Sequence, residues 1–208
     1  MTNKQEIVRW RGASIRTLDI QGRLARTLSP DILAHVYRTA EMARTLAERH
    51  GVDPDRAELA ALLHKVAHPY RDAELLARAE YFEVPVSATE ARVPRLLHGK
   101  IGAEILRHEW GITDEELLQA VRHYVAGSPR MGTLEKIVFL ADKLEPDRDK
   151  FYGDLDPIRA LAMTDLDAAV ARLSVWRMVD LPSSDRRIDP VTATQKEVFE
   201  FARATWPR

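Results

Sequence analysis

From Ser29 onward, apolar residues recur three and four positions apart, and no stretch alternates apolar with polar for long enough to demand a strand. That pattern restricts the chain to packed helices. Ser29-Pro30-Asp31 offers an N-cap with proline in the first turn. Leu33, Val36, Tyr37, Ala40, Ala43, Leu46 and Ala47 then mark one face of a long helix. It stops at His50-Gly51, where glycine suits a left-handed C-terminal position. Asp53-Pro54 opens a second helix, whose run Ala57 to Ala67 is apolar almost all round except at His64 and Lys65. A helix of that kind is buried on every side, and Pro69 closes it. Further helices are expected over Asp72 to Tyr81, over Leu96 to Trp110, and from a capping signature at Thr113-Asp114-Glu115-Glu116 to Tyr124. Others are expected over Thr133 to Leu144, from Asp156-Pro157, from Thr164-Asp165 and over Val191 to Thr205, with loops at Pro85 to Pro94 and Asp180 to Pro190. The fold class is all-α, a single helical bundle. Residues 1–27 read as an N-terminal extension, either a basic contact arm or a solvated leader. Residues 28–208 read as the helical domain with its C-terminal helices.

Charge and composition exclude several function classes. Lys and Arg number 31 against 32 Asp and Glu, a formal net charge of -1, so no long-range field draws in nucleic acid or membrane. A local basic pocket for a phosphorylated small molecule is compatible with that balance. The absence of cysteine excludes disulfides, thiolate metal sites and cysteine nucleophiles. The first residues are polar, and no apolar run reaches membrane-spanning length. A cytoplasmic location is expected.

Four polar groups stand inside apolar runs: His35, His64, His98 and Asp142. A lone core histidine is most often bonded to a backbone carbonyl. Asp142 follows Ile137-Val138-Phe139-Leu140-Ala141, and a carboxylate in such surroundings requires a cation or several donors. Four polar groups on four apolar helices converge, and imidazoles and carboxylates are what a borderline divalent metal takes. Lys65 cannot join them as a ligand, because an ammonium has three donors and no lone pair.

The segments Ala34-His35, Glu58 to His64, Leu97-His98-Gly99-Lys100-Ile101-Gly102-Ala103 and Leu134 to Pro146 agree in order and spacing with a known pattern. From about Ser29 to Leu173 the chain resembles the HD-domain superfamily, most nearly the bacterial symmetrical bis(5'-nucleosyl)-tetraphosphatases. The resemblance implies a helical domain that cleaves diadenosine tetraphosphate to two ADP at a dinuclear metal centre, typically iron. It also implies ligands in the order His, His-Asp, His, His and Asp, and often a homodimer. His35, His64, His98 and Asp142 match that order. Lys65 stands where the family has the aspartate that bridges both metals. Tyr124 stands where it has histidine, with His123 one place earlier. Gly127-Ser128-Pro129-Arg130-Met131 replaces Gly-Arg-Pro-Gly-Met, which moves a phosphate-contacting arginine to Arg130, and His68 falls where lysine is usual.

Magnitudes decide how far those departures matter. Opposite charges 4 Å apart attract by ~4 kcal/mol at an effective dielectric near 20. Exchanging a carboxylate for an ammonium reverses that twice over, on the order of 10 kcal/mol before relaxation. The simplest account has Lys65 occupying the metal's place and neutralising Asp142. The expected cofactor is then none or a single divalent ion (iron, manganese or zinc), dinuclear iron belonging to intact relatives. Candidate metal ligands are His35, His64, His98, His123 and Asp142; His64, Lys65, Asp142 and Arg122 are the candidate catalytic groups. Lys100, Arg130, Lys136 and Arg148 are candidates for holding a nucleotide or polyphosphate, although each alone is an ordinary solvated side chain.

Three readings follow. The first is a degenerate hydrolase with a nucleotide- or phosphate-binding role. The second is an active hydrolase with a mononuclear site that recruits His68 or His123, His64 and His68 being four apart on one helical face. The third is an interaction module acting through the extension and the last helix.

Overall fold

The computed structural model describes residues 7–10 and 13–179; the expected loop at Asp180 to Pro190 and helix at Val191 to Thr205 lie outside them. The described residues form eleven α-helices, two short 3-10 turns at Pro94–Leu97 and Pro146–Arg148, and a short antiparallel ribbon. The helices are α1 (Thr17–Thr27), α2 (Pro30–Arg49), α3 (Pro54–Leu63), α4 (Asp72–Tyr81), α5 (Ala88–Arg92) and α6 (His98–His108). The remainder are α7 (Glu115–His123), α8 (Thr133–Leu144), α9 (Asp149–Tyr152), α10 (Asp156–Ala162) and α11 (Leu166–Val179). The ribbon pairs β1 (Ile7–Trp10) with β2 (Ala13–Arg16), Ile7 opposite Arg16 and Trp10 opposite Ala13. No strand was expected there, since four-residue strands are too short to show alternation.

Caps set the boundaries as the sequence suggests. Ser29 Oγ accepts from the Ile32 amide, Asp53 from the Asp55 and Arg56 amides, and Asp114 from the Leu117 amide. Gly51 takes φ +67° beyond α2. The bundle is organised around α8, which packs against α2, α3, α7, α10 and α11. Its Leu134, Ile137, Val138, Phe139, Leu140, Ala141 and Leu144 are all buried, so α8 is the central helix and α3 its equally buried neighbour. Within the expected extension, α1 buries Ile20 and Leu24, and Arg23 lies over the Trp110 ring at 4.3 Å.

Two further expectations differ from the structure. Pro85 to Pro94 is not all loop: Ser87 and Glu90 form a reciprocal cap that starts α5. More consequentially, α3 stops at Leu63 instead of running on to Ala67. Residues 64–69 continue as turns closed from Val66 to Leu63, His68 to Lys65 and Tyr70 to Ala67. The reason is local. His64 Nδ1 donates to the Ala61 carbonyl, the group that the Lys65 amide would need in a continuing helix, and Pro69 disfavours a helical His68. His64 and His68 therefore do not share a helix face.

Candidate functional site: a histidine–aspartate cluster with built-in cations

The site forms where α2, the end of α3 and the end of α8 meet. His35 Nε2 lies 3.0 Å and His64 Nε2 3.2 Å from the same oxygen, Asp142 Oδ1. A backbone carbonyl assigns the His64 tautomer. His64 gives its Nδ1 proton to Ala61, and burial pushes its pKa down to about 4 against the pull of Asp142, so the ring is neutral at pH 7. His35 donates from Nδ1 to Glu145 Oε1 at 3.0 Å, and its Nε2 lies between Asp142 Oδ1 at 3.0 Å and Arg148 Nη2 at 3.2 Å. Two imidazole nitrogens and a carboxylate oxygen thus face one another, with ligand atoms within 4.8 Å. A carboxylate buried in such a cluster needs cations or several donors around it.

The chain supplies those cations itself. Lys65 Nζ stands 3.2 Å and Arg148 Nη2 3.0 Å from Asp142 Oδ1, and Lys143 Nζ stands 3.2 Å from Oδ2. Burial alone would raise the Asp142 pKa, but Lys65, Lys143 and Arg148 hold it well below the usual carboxylate range. Burial also lowers Lys65, Asp142 opposing and Arg148 adding to that shift. Behind the ammonium lies Tyr124: Lys65 Nζ sits over its ring at 4.7 Å, and the ring meets His64 edge-on at 4.8 Å. The two ligand positions at which the sequence departs from the resembled pattern therefore touch each other. Glu145 completes the cluster. Burial would raise its pKa, yet hydrogen bonds from His35 and Arg38 bring it down to about 2.

The other predicted residues are placed elsewhere. His98 stacks on His68 with centroids 5.6 Å apart, and its Nε2 is buried with no hydrogen-bond partner. Burial first, then the charges of His68 and Lys65, take the His98 pKa down to about 4. His123 bonds Glu135 through Nδ1 at 2.5 Å, on a face different from that of Tyr124. Arg122 is paired with Glu104, Lys100 with Glu90 at 2.7 Å, and Lys136 with Asp167 at 2.7 Å, each on a carboxylate outside the cluster. Arg130 is exposed. Of the candidates for a polyphosphate, only Arg148 is at the cluster. Sequence reasoning missed Arg38, Lys143 and Glu145 as site residues. The available signals were Arg38 three residues after His35 and a charged pair flanking the last turn of the most apolar helix.

Residues 32–147 match the HD domain family. The chain belongs to that family. It is 34% identical over 176 residues to the symmetrical bis(5'-nucleosyl)-tetraphosphatase of Halalkalibacterium halodurans, covering 83% of this chain and 92% of the relative. The enzyme of the same name from Bacillus subtilis is 33% identical over 76% of this chain and 83% of its own length. A solved HD-superfamily hydrolase from Clostridium acetobutylicum, described as involved in NAD metabolism, superposes with a TM-score of 0.82 at 24% identity, over 90% of this chain and 96% of its own. That likeness is one of fold. Among the described residues, no helix of this HD-domain chain is long and apolar enough to cross a membrane.

The donor set of this HD domain fits a cation. His35, His64 and Asp142 could hold a single divalent ion. Position 65 presents an ammonium to the same Asp142 oxygen.

Proposed function

We propose that this chain is a cytoplasmic HD-domain protein in which built-in cations stand in for the metal centre. It hydrolyses dinucleoside tetraphosphates weakly or not at all and keeps a binding role for a nucleotide or polyphosphate. One observation carries the reading: the Lys65 ammonium, backed by the Tyr124 ring, lies at the oxygen that both imidazoles approach. A divalent ion there would meet Lys65 and Arg148 at close range, a repulsion of several kcal/mol each at about 4 Å. The names of the relatives supply the ligand class, a dinucleoside polyphosphate. Two measurements test this together: metal content of the purified protein, and ADP released from diadenosine tetraphosphate with excess divalent metal. Little bound metal and no ADP above background are expected. Stoichiometric iron, manganese or zinc accompanied by ADP would overturn the reading.

A second reading has its own support in the 4.8 Å grouping of His35, His64 and Asp142. Were Lys65 to swing outward, those three would hold one divalent ion, which would supply Lewis-acid activation of a phosphoryl oxygen. The metal measurement separates the two.

A further inference from the structure

We infer that Lys65 is a site of reversible modification by carbon dioxide. A carboxyl group carried on Nζ turns the resident cation into a metal ligand beside His35, His64 and Asp142. The inference rests on the reading above, in which Lys65 is the cation that keeps an ion out, and names a reaction that reverses its sign.

The placement of two lysines points there. Lys65 Nζ lies 3.2 Å from Asp142 Oδ1, the oxygen that His35 Nε2 and His64 Nε2 approach to 3.0 and 3.2 Å. Those three side chains have ligand atoms within 4.8 Å of one another, close enough to hold one ion. An ammonium among them repels a divalent ion and offers it no lone pair. A carboxyl group on the same nitrogen attracts the ion, and carboxylate with imidazole is a set that such an ion takes. Lys143 shows that position decides. It contacts the same carboxylate at Oδ2, 3.2 Å away, and its ammonium donates to the Tyr124 backbone carbonyl while lying over the Phe139 ring. A carboxylate there would be set against a carbonyl oxygen. Lys65 instead rests on a ring face, 4.7 Å from the Tyr124 centroid.

The exchange keeps the charge of the cluster. An ammonium and one molecule of carbon dioxide give a carbamate and two protons. The nitrogen lone pair forms the N–C bond, one C=O π pair moves onto oxygen, and both protons leave to water. The side chain passes from one positive charge to one negative, and a single divalent ion restores the difference. Arg148 and Lys143, already on Asp142, stay as counter-charges. Without the ion, the carbamate and Asp142 would be two adjacent carboxylates, which repel. Without the carbamate, the ion meets an ammonium. Each therefore stabilises the other, and the coupling is reciprocal. The Lys65 side chain is 13% exposed, open to a small neutral molecule and shielded from the water and acid that reverse carbamates on surface amines.

Zinc titration of the full chain at mildly alkaline pH tests this, in carbon-dioxide-free buffer and again with isotopically labelled bicarbonate. Carbon NMR of the same samples reports the modification directly. Zinc should bind weakly without bicarbonate and at least about tenfold more tightly with it. A carbamate carbon resonance, separate from that of bicarbonate, should grow as zinc is added, because linkage makes the two effects equal. Lys65→Met should lose both the resonance and the bicarbonate effect; a resonance that survives in that variant belongs to another amine and overturns the assignment. Lys65→Glu, which brings its own carboxylate, should bind zinc with no dependence on bicarbonate. Absence of the resonance from the unaltered chain, with equal zinc affinity in both buffers, overturns the modification without reference to any variant. Equal and weak affinity then leaves the metal-free reading standing, whereas equal and tight affinity overturns that reading as well.

Discussion

Asp142 binds together more charge than any other residue of the cluster, because one carboxylate serves Lys65, Lys143, Arg148 and two imidazoles. Asp142→Asn keeps the shape and removes the anion, leaving several buried or half-buried cations facing one another. A destabilisation of about 3–5 kcal/mol is expected, the cost of leaving buried charge uncompensated. Urea unfolding measures it; a loss under about 1 kcal/mol would mean that the cations relax into solvent. His64 governs the acid limb of stability. Unfolded, its ring takes a proton near 6.5; folded, not until about 4. Between those values the unfolded chain binds the extra proton, so this contribution is full above pH 6.5 and is lost as the pH falls toward 4. His98, also held to about 4, acts in the same direction. Thermal melts should therefore show a lower midpoint at about pH 5 than at neutrality, and His64→Gln should flatten the slope. An unchanged slope in that variant would show that some other group titrates.

At the scale of elements, α6 and α7 meet through a glycine. A Cβ at Gly99 would stand 2.4 Å from the Arg122 carbonyl oxygen, a main-chain atom that cannot turn aside. Gly99→Ala should destabilise by about 1–3 kcal/mol through forced separation of the two helices. His98 precedes that glycine, so the same variant should displace its ring from the stack on His68. The helices themselves were largely legible. Asp72–Tyr81 and Thr133–Leu144 fall where their apolar spacing and flanking signals put them, because caps and periodicity act locally. What escaped depended on contacts the sequence does not display. The end of α3 is set by an imidazole reaching back to a carbonyl. For α1, the decisive fact is burial of Ile20 and Leu24 against partners distant in the chain. The site follows the same division. His35, His64 and Asp142 were readable as polar residues in apolar runs, and the contact of Lys65 with Asp142 followed from charge alone. Glu145 and Lys143 were not, since charged residues at a helix end ordinarily face water.

At the scale of the molecule, ion pairs internal to the chain lie at the centre of the bundle. The fold superposes at a TM-score of 0.82 on an HD hydrolase of 24% identity, while two of the positions that line the cluster are Lys65 and Tyr124. Ion pairs internal to the chain are present in the folded state at any metal concentration, whereas a bound ion stabilises only by mass action. The melting temperature of the unaltered chain should accordingly be the same in EDTA as in excess manganese, iron or zinc. The double variant Lys65→Asp with Tyr124→His should behave differently, because it removes the resident ammonium and its aromatic backing and returns a carboxylate and an imidazole. An ion held at a hundredfold excess over its Kd adds about 2.7 kcal/mol. For a chain of this size that is a rise of roughly 5–10 °C. A metal-dependent rise confined to the double variant would assign the loss of the centre to those two positions. A rise of the same size in the unaltered protein would mean that Lys65 yields its place to an ion, and a rise in neither would locate the obstacle at Arg148 and Lys143, the cations left on Asp142.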